Sequence, residues 1–188
     1  RPPARDGRYD HVAIHPYPRH LIVEDHLTDG TPLVIRPIRP EDAESEQNFV
    51  RDLSDEAKMF RFMGAINELS PEMLVQFTQI DYRREMAMVA MALRDGGEQQ
   101  VGVARYVINP DGRSCEFAIV VGDQITHQGI GTRLMKALFR AARDHGLQVI
   151  EGTVLKNNAP MLQLMNDLGF TRRMDPDDPE LVLVERNL

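Results

Sequence analysis

The run Cys115-Glu116-Phe117-Ala118-Ile119-Val120-Val121 is apolar except for one carboxylate, and His127-Gln128-Gly129-Ile130-Gly131-Thr132 follows close behind it. The first segment reads as a buried strand. The glycines turn the chain into a long helix, because Ile130, Leu134, Ala137, Leu138 and Ala141 recur at helical spacing. A turn of this kind aims backbone N–H groups at one point, and a helix N-terminus adds partial positive charge there. Together they suit a phosphate or pyrophosphate. Glu116, the carboxylate in the strand, is then a candidate base beside an anion cradle, the equipment of a transferase that uses a phosphorylated carrier.

Other elements follow from local signals. Leu33 to Ile38 is a short strand, and Pro40 precedes a helix from Glu41 to Leu53 with acids in its first turn. Ser54 caps a helix through Phe62, and Ser70 caps another, with Pro71 in its first turn, that runs to Gln79. Glu85 to Leu93 is almost continuously apolar, the pattern of a strand buried on both faces. Turns at Asp95-Gly96-Gly97 and Asn109-Pro110-Asp111-Gly112 frame a strand from Val101 to Ile108 and lead to the strand of Glu116. The glycine-turn helix runs to about His145 and stops at Gly146. A strand (Val149 to Leu155), a helix (Pro160 to Leu168, ended by Gly169) and a strand (Leu181 to Glu185) complete the order. This predicts an α/β (α+β) fold: a mixed central sheet of about six or seven strands with helices on both faces. Residues 1–29, rich in Arg, His and Pro, read as a linker or docking arm, and residues 30–188 as the domain.

Composition narrows the classes of partner. The net charge of −7 argues against nucleic acid and suits a basic protein substrate, although it also serves solubility. No apolar run approaches the ~20 residues that span a bilayer, so no membrane partner is expected. His11, His15, His20 and His26 match no zinc spacing, so no metal is expected either. The single Cys115 excludes an internal disulfide and fits a reducing, cytoplasmic setting. The chain begins with Arg1 rather than Met, which predicts a piece of something longer.

Three motifs carry a family resemblance. Thr126-His127-Gln128-Gly129-Ile130-Gly131 resembles the acetyl-CoA loop of the GNAT superfamily of N-acetyltransferases, with both glycines present and Thr126 in place of the usual Arg or Gln. Asn158-Ala159-Pro160-Met161-Leu162, followed by Leu168-Gly169-Phe170, resembles that family's second signature. Ile35-Arg36-Pro37-Ile38-Arg39-Pro40-Glu41-Asp42-Ala43 looks like its first strand and helix. Motifs that are weak singly are strong in this order and spacing. The stretches His15-Pro16-Tyr17-Pro18, Asp29-Gly30-Thr31-Pro32, Phe60-Arg61-Phe62-Met63, Leu69-Ser70-Pro71-Glu72-Met73, Phe77-Thr78-Gln79-Ile80-Asp81-Tyr82 and Arg84-Glu85-Met86-Ala87 look like one subfamily. It comprises the acetyltransferase domains at the C-terminus of bacterial proteins with an ADP-forming acyl-CoA-synthetase-like body.

The resemblance implies a protein lysine acetyltransferase that uses acetyl-CoA as cosubstrate, needs no metal, and typically inactivates AMP-forming acetyl-CoA synthetase. It implies direct amine attack within a ternary complex, with Glu116 as general base, its pKa raised by apolar neighbours. A backbone N–H near Ile119 to Val121 would hold the thioester oxygen. N–H groups of His127, Gln128, Gly129, Ile130, Gly131 and Thr132 would hold the pyrophosphate, helped by the Thr132 hydroxyl. Arg133 either reaches a phosphate or lies on a solvated helix face, and His127 either adds a hydrogen bond or is an exposed loop residue. Asn158 resembles the residue that bonds the pantetheine arm, and it also suits a helix N-cap. Cys115, adjacent to Glu116 on a strand, points to the opposite face and reads as packing. Met165 stands where many members carry a tyrosine as general acid. An acetyl-CoA-sensing module and a small-amine acetyltransferase are the alternatives. The sequence leaves the oligomeric state open.

Overall fold

In the computed structural model, residues 16–123 and 128–188 are described. Among them, eight strands form one sheet: β1 (Val23–His26), β2 (Pro32–Pro37), β3 (Glu85–Arg94), β4 (Gly97–Ile108), β5 (Ser114–Val121), β6 (Val149–Leu155), β7 (Thr171–Met174) and β8 (Leu181–Asn187). Their spatial order is β1-β2-β3-β4-β5-β6-β8-β7. Every neighbouring pair is antiparallel except β5 and β6, which run parallel.

The expected six or seven strands become eight because of β1 and β7, both edges of the sheet. A strand with a single neighbour and little burial need not alternate, so its sequence lacks the period-2 signal. Thr171-Arg172-Arg173-Met174 is exposed throughout, and Val23-Glu24-Asp25-His26 nearly so. Residues 23–26 therefore add a strand to the sheet from within the stretch read as an arm.

Among the described residues, five α-helices flank the sheet: α1 (Ala43–Asp52), α2 (Asp55–Phe62), α3 (Pro71–Thr78), α4 (Ile130–Asp144) and α5 (Ala159–Asp167). The expected helix from Glu41 divides into a 3₁₀ turn at Pro40–Asp42 and then α1. The caps stand where the sequence put them. The hydroxyl oxygens of Ser54 and Ser70 accept from the N–H groups of Ala57 and Met73, each satisfying a donor that the first helical turn leaves free.

The run in β3 is apolar because both faces are covered. Met86, Met88, Ala90 and Ala92 join Leu134, Met135, Leu138 and Phe139 of α4 in one core cluster. Ala87, Val89 and Met91 join Phe49 and Val50 of α1 in a second, on the other face. A polar bridge ties α1 to the sheet: Arg105 of β4 donates to Glu46 at 3.2 Å, and Gln100 donates to Glu46 at 2.7 Å. Among the described residues, no helix is long and apolar enough to cross a membrane.

Candidate active site

β5 and β6 pair only from Ser114–Glu116 to Val149–Glu151, and then part. Phe117 sits at the fork. A Cβ added to Gly152 would lie 2.6 Å from its ring, so only a glycine leaves room for that side chain between the strands. The ring packs on Phe170, centroids 5.4 Å apart.

The backbone of β5 then determines what faces the opening. Gly122 N–H donates to Val101 at 2.8 Å, and Asn109 N–H donates to Ser114 at 2.9 Å. Bonding direction alternates along an antiparallel ladder. The even-numbered residues of β5 thus bond β4, and the amides of Phe117, Ile119 and Val121 point toward the split.

The first turn of α4 closes the far end of the split. Gly129 is its N-cap, with φ of +73°, a conformation that disfavours other residues, and it offers no capping side chain. The first helical bond runs from Arg133 N–H to Gly129 O at 3.1 Å. The N–H groups of Ile130, Gly131 and Thr132 have no acceptor among the described residues. They stand at the positive end of a 15-residue helix, where an anion is favoured. Asn158 caps α5; its Oδ1 accepts from Met161 N–H at 3.3 Å, and the residue is buried.

Glu116 and Cys115 face opposite sides of β5. Cys115 is fully buried against the α4 layer, and burial pushes its thiol up to about 12. Glu116 shares the other face with Val120, which packs with Phe49 and Val50 of α1. Glu116 itself is exposed, so the apolar enclosure expected around it is not present. Strand register sets it in a row with Glu151 of β6 and Glu185 of β8. The three carboxylates line a cavity of about 360 Å³ with Thr153, Thr171 and Arg173. Asn109 donates to Glu151 at 2.9 Å. None of the apolar residues of α1–α3 clusters with β6, β7 or β8, so this face of that half-sheet lies open among the described residues.

The remaining sequence candidates have definite places. Thr126 and His127 lie outside the described residues. Gln128 Oε1 accepts from the N–H and hydroxyl of Thr28, at 3.1 and 2.7 Å. Arg133 donates through Nε to Asp25 at 2.7 Å and through Nη1 to the Gln128 carbonyl at 2.6 Å. Met165 is buried in the core and brings no titratable group to the split. Sequence reasoning missed Asp25, Thr28, Glu151 and Glu185, which join the site only through strand pairing across the fold.

The signature described as the acetyltransferase (GNAT) family matches residues 50–170. The chain belongs to the GNAT acetyltransferase family. As a member it is an acetyl-CoA-dependent acetyltransferase. It is 37% identical over 159 residues to an acetyltransferase of Pseudomonas aeruginosa, across 85% of this chain and 86% of that protein. It is 30% identical over 137 residues to the acetyltransferase Pat of Mycolicibacterium smegmatis, across 72% of this chain and 40% of Pat. The chain thus matches well under half the length of Pat. The crystal structure of the GNAT domain of S. lividans PAT superposes with a TM-score of 0.83 at 27% identity, covering 92% of this chain and all of that domain. The residues of the split fit such a donor in kind. Unpartnered N–H groups at the start of α4 suit a diphosphate, and strand-edge amides suit an amide-bearing arm.

Proposed function

We propose that this domain transfers an acetyl group from acetyl-CoA to a lysine of a protein, with Glu116 as general base. The observation that carries the reading is the row Glu116–Glu151–Glu185 on an open sheet face, where the strands begin to part. An accessible face with three carboxylates, and Arg172 and Arg173 along its β7 edge, suits a lysine presented on a protein surface, while a small amine would need no such extent.

The chemistry follows from the acceptor. A lysine has a pKa near 10.4, so about one in 2,500 is neutral at pH 7, and recovering the neutral form takes roughly 4–5 kcal/mol. Glu116 accepts that proton, directly or through a water, as the amine nitrogen attacks. Acetyl-CoA supplies the activated carbonyl. The amide of Ile119 or Val121 steadies the oxygen as it gains charge. N–H groups from His127, Gln128, Gly129, Ile130, Gly131 and Thr132 hold the diphosphate with the Thr132 hydroxyl. Asn158 holds the amide arm, and Arg133 orients the loop. Met165 donates no proton, and a thiol pKa near 8.5 lets the thiolate leave and take its proton from water. The acceptor we favour is AMP-forming acetyl-CoA synthetase in the cytoplasm, inactivated by the modification.

Buried Met165 favours one second reading, an acetyl-CoA-sensing module without turnover. Mass spectrometry of acetyl-CoA synthetase incubated with the domain and acetyl-CoA separates the two. One acetylated lysine, absent with Glu116→Gln, supports the enzyme. Tight acetyl-CoA binding with no transfer to any protein or free amine supports the sensor.

A further inference from the structure

The N-terminal turn of α4 is braced by a segment about a hundred residues earlier in the chain. Arg133 Nε donates to Asp25 Oδ2 at 2.7 Å, and Arg133 Nη2 reaches the His26 carbonyl at 3.5 Å. The same guanidinium donates to the Gln128 carbonyl at 2.6 Å. The Gln128 side chain is held in turn by the N–H and hydroxyl of Thr28. The backbone entering Gly129 is therefore fixed through both its carbonyl and its side chain, by β1 and the turn after it. Gly129 needs such support, because at φ of +73° it has no side chain to cap the helix itself.

We infer that Asp25 and Thr28 are positioning residues for acetyl-CoA: they hold Arg133 and Gln128 so that the amides of Ile130, Gly131 and Thr132 stay aimed at the diphosphate. The inference rests on α4's first turn being the diphosphate seat. Asp25 and Arg133 are each partly exposed (43% and 31% of their side chains), so their pairing contributes little to global stability. Its effect falls on the order of the loop. By linkage, the donor must tighten β1 as much as β1 tightens the donor.

A rival role for Arg133 predicts the opposite sign. If its guanidinium bound a phosphate directly, Asp25 would compete for it, and removing Asp25 would tighten acetyl-CoA binding. Calorimetry and kinetics on Asp25→Asn, Thr28→Val and the double variant decide this. The expected result is acetyl-CoA Kd and KM raised about fivefold, the lower end of coupling between sites. The kcat, the acceptor KM and the melting temperature should stay at wild-type values, with partial rescue by Asp25→Glu. Unchanged or tighter binding by Asp25→Asn and Thr28→Val overturns the inference. Hydrogen exchange of the wild-type protein tests the seat separately. Acetyl-CoA that fails to protect the amides of Ile130, Gly131 and Thr132 removes the seat and the brace with it. Protection there, with wild-type affinity in the variants, removes the brace alone.

Discussion

On a strand, one peptide bond separates two opposite environments, and Cys115 and Glu116 occupy one each. For Glu116, the reading as base predicts that Glu116→Gln lowers kcat by about 10²–10⁴ while acetyl-CoA affinity stays at the wild-type value. Steady-state kinetics with parallel calorimetry check it, and undiminished turnover would remove Glu116 from the mechanism. For Cys115, the fold favours the neutral thiol, since burial raises its pKa from 9.0 to about 12. A raised pKa means stability complete below about pH 9 and lost as pH climbs toward 12. Urea midpoints should therefore fall between pH 8.5 and 10.5, and more shallowly in Cys115→Ala. Tyr82 and Tyr106, whose hydroxyls burial also raises, add a fall of the same sign from about pH 10 upward. The opposite orientations of these two neighbours were legible in the sequence. The exposure of Glu116 was not, because it depends on where α1–α3 stop covering the sheet.

Among the elements, the fork between β5 and β6 makes the sharpest demand on a side chain. Gly152→Ala would set a methyl group against the Phe117 ring at 2.6 Å. It should destabilise the fold by about 1–3 kcal/mol, as overpacking does, in a denaturant titration. A wild-type midpoint would mean that Phe117 moves aside freely. The demand is invisible in sequence, where Gly152 interrupts an ordinary strand. Elements with local signals were legible: Ser54 and Ser70 cap helices with their own hydroxyls, and α4 carries its apolar stripe. β1 and β7 gave no signal because their pairing comes from one side only.

At the scale of the molecule, Glu46 is the point where the α1 layer and the sheet share a buried charge. Glu46 and Arg105 are both buried, and Gln100 donates to the same carboxylate. Glu46→Ala leaves Arg105 without its carboxylate and should cost about 3–5 kcal/mol, read as a lowered Tm and urea midpoint. The site at this scale is half legible. Glu116 and residues 130–132 lie close together in the chain and could be found there. Asp25, Thr28, Glu151 and Glu185 reach them only through tertiary pairing, which no window of sequence contains. The charges on the outermost strands have one more consequence. β1 offers Glu24, with Asp25 already paired to Arg133, whereas β7 offers Arg172 and Arg173. Two copies approaching by the same rim repel, and copies approaching by unlike rims attract. Contact between copies through these rims is therefore favoured head to tail, in a ring or a filament according to the rotation between copies, and it weakens as ionic strength rises.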